Sequence, residues 1–76
     1  MTDIFKIKLD ISDIKDFINT TQNITNDINL CQGYNLVSGK SLMGIMALDL
    51  SKPIELIIRD RENDDIVYQN FRQYLI

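Results

Sequence analysis

Side-chain chemistry needs a nucleophile, an acid–base pair, a metal-ligand set or a phosphate cradle, and this sequence offers few of them. There is no histidine, so phosphotransfer through an imidazole nitrogen is excluded by composition. The lone cysteine, Cys31, has no partners for a zinc site, and at a strand end it reads as a small packing residue. Asp13 and Asp16 could in principle take a phosphoryl group, but the simpler reading is two solvated carboxylates in the first turn of a helix. Ser38-Gly39-Lys40-Ser41 carries the letters G-K-S without the upstream glycine of a phosphate-binding loop. No acid–base pair, cofactor cradle or metal set can be named, so the expectation is a non-enzymatic protein without cofactor or metal.

Ser41 is the residue with the most chemical interest. It stands in front of a short apolar stretch, where a serine caps a helix. A phosphate placed there would meet backbone N–H groups and the positive end of the helix dipole. Lys40 beside it offers one positive charge, either to an acidic partner or to water. Leu42, Met43 and Met46 follow, and methionine suits adaptable binding surfaces. A two-turn helix can send Ile45 and Leu48 inward and leave Met43 and Met46 partly outward.

These residues need elements to hold them. Phe5, Ile7, Leu9 and Ile11 alternate with Lys6, Lys8 and Asp10, the period of a half-buried strand. Ser12 then precedes Ile14, Phe17, Ile18 and Thr21 at helical spacing, which predicts a helix capped by Ser12 and ending near Asn23. Ile28–Val37 reads as a hairpin turning at Gln32-Gly33, with its third strand at Tyr34–Val37. Ser41 opens the short second helix, in which Gly44 costs about 1 kcal/mol relative to alanine and so calls for a packing reason. Ile54, Leu56 and Ile58 alternate in a fourth strand after Pro53, which stops any helix before it. Asn63 or Asp64 can cap a last helix, with Asp64 and Asp65 in its first turn. Its stripe would be Val67, Phe71, Tyr74 and Leu75. The solvated sheet face would carry Lys6, Lys8, Asn29, Glu55 and Arg59.

The chain's 76 residues allow one domain, residues 1–76, and no second. With 45% hydrophobic and 25% charged residues, the sequence is that of a folded domain rather than a disordered one. A net charge of −3 gives no electrostatic attraction to nucleic acid or anionic membrane. No apolar run reaches the roughly 20 residues of a transmembrane helix, the N-terminus does not read as a signal peptide, and one cysteine makes no internal disulfide. The expectation is a cytoplasmic protein.

The stretch Val37-Ser38-Gly39-Lys40-Ser41-Leu42-Met43-Gly44-Ile45-Met46-Ala47-Leu48 resembles the V-N-G-K-S-I-M-G…V-M-S-L segment of the HPr phosphocarrier family. The resemblance implies an α+β, HPr-like open-faced β-sandwich of order β-α-β-β-α-β-α, with a four-stranded antiparallel sheet and three helices on one face. Where histidine-bearing members carry G-[LI]-H-A-R-P-A, this sequence reads Asp10-Ile11-Ser12-Asp13-Ile14-Lys15-Asp16-Phe17. Histidine, arginine and proline are all missing. The family glycine after M-S-L is replaced by Asp49, and a later one by Pro53.

The chain is thus similar to a divergent, His-less, somewhat Crh-like branch of this sugar phosphotransferase system family. The resemblance implies a regulatory adaptor, phosphorylated at Ser41 by an HPr kinase/phosphorylase. Lys40, Leu42, Met43 and Met46 would meet a protein partner such as a transcriptional regulator. The alternative from another class is an HPr-fold interaction module, for instance a homodimer, outside sugar transport altogether.

Overall fold

Alternating polarity shapes the first strand. In the computed structural model, which describes residues 2–59 and 69–76, β1 spans Asp3–Ile7 and turns Phe5 and Ile7 toward the core and Ile4 and Lys6 away from it. Leu9 is also buried, although pairing has ended by then. The expected strand face reaching Ile11 is corrected here: Ile11 is 71% exposed. The chain turns at Asp10, whose N–H donates to Asp13 Oδ2 at 3.0 Å, and the Asp13 N–H donates to the Asp10 carbonyl at 2.9 Å. A 3-10 turn over Ile11–Asp13 then leads into α1, Ile14–Gln22. Ser12, expected as the cap, therefore lies inside the turn, and Asp10 and Asp13 do the capping. A carboxylate satisfies free amide donors at least as well as a serine hydroxyl.

Helix α1 buries Ile14, Phe17 and Thr21, the face its spacing predicts, and Asn23 ends it. The second and third strands, β2 (Ile28–Gln32) and β3 (Asn35–Ser38), form the expected hairpin. Gly33 sits at its tip with φ +60°, the left-handed conformation that a two-residue hairpin of this kind reserves for glycine. Tyr34 belongs to that turn rather than to β3. Helix α2 covers Leu42–Met46, and β4 covers Ile54–Ile58 just after Pro53.

The sheet is antiparallel, in the order β1-β4-β2-β3. Its register lines up the inward residues: Ile7 faces Ile54, Leu30 faces both Leu56 and Val37, and Ile28 faces Ile58. Onto that surface pack Ile14 and Phe17 of α1, Ile45 of α2, and Phe71 and Tyr74 near the C-terminus. Phe17 meets Phe71 with ring centroids 5.7 Å apart and Tyr74 edge-on at 5.3 Å, the offset and edge-to-face geometries that aromatic quadrupoles favour. The helices thus lie on one face of the sheet. On the other, Lys6, Lys8, Glu55 and Arg59 are exposed, and the Arg59 Nε–H donates to Asn29 Oδ1 at 3.2 Å.

Residues 69–71 are helical and end in a 3-10 turn at Arg72–Tyr74. Phe71 and Tyr74 are buried as expected, but Leu75 leaves the helix and bridges Ile7. The Lys8 N–H donates to the Tyr74 carbonyl and the Ile76 N–H to the Lys6 carbonyl, so the C-terminus covers part of the open edge of β1. The expected caps Asn63 and Asp64, the first-turn Asp65 and the core residue Val67 lie outside the described residues. Among the described residues, no helix is long and apolar enough to cross a membrane.

Candidate docking face on the second helix

The site begins at a glycine. Gly39 follows β3, and its N–H donates to the Ile28 carbonyl at 2.8 Å. A Cβ here would meet Ile28 Cγ2 at 2.5 Å and the Ile28 carbonyl oxygen at 3.3 Å, so no larger residue fits without a shift. The Gly39 carbonyl accepts the buried Thr21 hydroxyl at 2.9 Å, which ties the start of the site to α1. Lys40 comes next and is half-buried. Its ammonium donates to the Ile24 carbonyl at 2.6 Å, so it braces the loop after α1 rather than standing free in solvent.

Ser41 then caps α2: its Oγ accepts the Gly44 N–H at 3.2 Å. No donor bond from this hydroxyl is formed within the described residues, and Ser41 is only half-buried. Gly44 has its packing reason, because a Cβ there would sit 3.0 Å from Val37 Cβ and 3.5 Å from Ser41 Oγ. Helix and strand approach more closely than a side chain between them allows.

With α2 pressed onto β3 through Gly44, Ile45 and Leu48 go into the core. Leu42, Met43 and Met46 face outward, at 54%, 83% and 49% exposure. Leu42 and Met46 do not stand alone. With Ile11, Ile14, Lys15, Ile18 and Asn19 they line an open groove of about 380 Å³ between α2 and the first half of α1. Lys15 is the charged residue in that lining. The α2 half of this groove is legible in the sequence; Ile11 is not, because alternation places it in the strand, while Ile18 is half-buried against the core as its spacing predicts and borders the groove as well. The signal was the Asp10–Asp13 pair, whose three-residue spacing marks a helix entry and ends the strand before Ile11.

The loop after α2 is held from the sheet. Gln32 Nε2 donates to the Asp49 carbonyl at 2.7 Å, and the Asp49 N–H donates to Gln32 Oε1 at 2.7 Å. The Asp49 carboxylate accepts from the Ser51 hydroxyl at 2.6 Å and the Ser51 N–H at 3.0 Å, and these bonds hold its pKa below the ordinary value.

At the entry to α1 the chain supplies its own anion, the Asp13 carboxylate. The Asp10 N–H donates to it at 3.0 Å and so is not open to another acceptor. Among the described residues, no three His, Cys, Asp or Glu side chains could together hold a metal ion. Cys31 is half-buried on the outer face of the sheet, its thiol 3.7 Å from the Gly33 carbonyl. No protein-family model matches this chain, and no curated protein matches it in sequence.

Proposed function

We propose that this chain is a small non-enzymatic adaptor of HPr type that docks a protein partner through α2 and the start of α1. The observation that carries the reading is the gathering of exposed Leu42 and Met46 with Ile11 and Ile18 around one groove, with Met43 beside it. Apolar residues concentrated at one place, unlike single scattered ones, mark an interaction surface. The V-S-G-K-S-L-M-G segment supports the same helix as the contact element.

Regulation by phosphorylation of Ser41 belongs to the proposal. Two features favour it: the resemblance of the segment, and a half-exposed hydroxyl that accepts a hydrogen bond without giving its own proton to the described protein groups. The partners this implies are an HPr kinase/phosphorylase and a transcriptional regulator, in the cytoplasm, where a single cysteine without a disulfide partner is ordinary. Lys40 has a supporting part here, since its ammonium is committed to Ile24.

The test is phosphorylation of the purified chain by an HPr kinase with ATP, followed by intact mass, beside Ser41→Ala and a histidine-bearing HPr as control. One added phosphoryl group, absent from the Ala variant, is the expected result. No addition while the control is modified overturns the Ser41 switch. Sedimentation across concentrations examines the docking half. A monomer is expected, whereas a dimer abolished by Met43→Ser would reassign the face to self-assembly.

A further inference from the structure

We draw no further inference here: the strongest candidate, the outer face of the sheet, where Ile4 sits opposite Ile57 and Leu36 opposite Cys31, is an uncovered surface, and nothing in the structure shows what covers it.

Discussion

Thr21 is a fully buried polar side chain on the inner face of α1. Its hydroxyl reaches the Gly39 carbonyl at 2.9 Å and the Ile18 carbonyl at 3.1 Å. The bond to Gly39 crosses from α1 to the segment that launches α2, so one hydroxyl helps to tie together the two elements that flank the groove. Thr21→Val keeps the shape and strands the Gly39 carbonyl in the core. We expect a loss of about 1–3 kcal/mol in denaturant unfolding. Thr21→Ser should recover part of it, since the bond returns while a methyl group is lost. Asp49 gives a second prediction. Its folded pKa lies below the ordinary 3.8 because it accepts two bonds from Ser51. The stabilisation is present above the unfolded value and fades as pH falls through the folded one. The carboxylate is exposed, so the readout is its NMR titration midpoint, which Ser51→Ala should raise toward the ordinary value. An unchanged midpoint in that variant would remove the Ser51 hydroxyl as the cause and leave the backbone N–H bond.

The glycines around α2 do opposite jobs to those their helix propensities suggest. In an exposed helix, Gly→Ala stabilises by about 1 kcal/mol. At Gly44 the added Cβ would come 3.0 Å from Val37 Cβ, and a β-branched side chain in a strand has little freedom to yield. Gly44→Ala should therefore destabilise, and in a Val37→Gly background, which removes the Cβ that alanine would keep, the Gly44→Ala change should turn toward the normal gain. A stabilised single variant would show that helix and strand part easily. Gly39→Ala should be worse, costing about 1–3 kcal/mol by overpacking, because Ile28 meets the new methyl with its backbone oxygen as well as its side chain. At this scale much was legible in the sequence. Ile54, Leu56 and Ile58 alternate cleanly and are the core of β4, and Ser41 followed by apolar residues is the cap of α2. Two things were not. Alternation alone cannot stop a strand, so Ile11 read as core until the Asp10–Asp13 turn pushed it outward. The order β1-β4-β2-β3 is a matter of long-range pairing, which no local pattern encodes. The groove inherits both gaps, since one wall depends on where α1 begins and the two walls meet only through tertiary packing.

For the whole molecule, the absence of histidine sets how stability responds to pH. No other side chain of ordinary pKa titrates between about pH 5 and 8, so unfolding free energy should be nearly flat across that range. The limit on the alkaline side involves Tyr74. Its ring packs edge-on against Phe17, and its buried hydroxyl has no well-formed hydrogen bond among the described residues. Burial pushes the phenol above its usual 10.0, and the nearby carboxylates of Asp13 and Asp16 add to the effect. A loose side-chain hydrogen bond with Gln73 pulls it the other way. A raised folded pKa means the contribution is complete below the unfolded value of 10.0 and is lost as pH climbs from there through the folded one. Tyr74→Phe removes both the unsatisfied hydroxyl and the titration. The variant should be as stable as the parent or more so at pH 8, and should lose less stability between pH 9 and 11, measured by urea unfolding across that series. A cost above about 1 kcal/mol at pH 8 would mean that the hydroxyl is satisfied in solution. Leu75 and Ile76, which follow directly, cover part of the edge of β1. Alkaline loss centred on Tyr74 should therefore appear first as faster amide exchange at Lys8 and Ile76, before the inner strands β4 and β2 open.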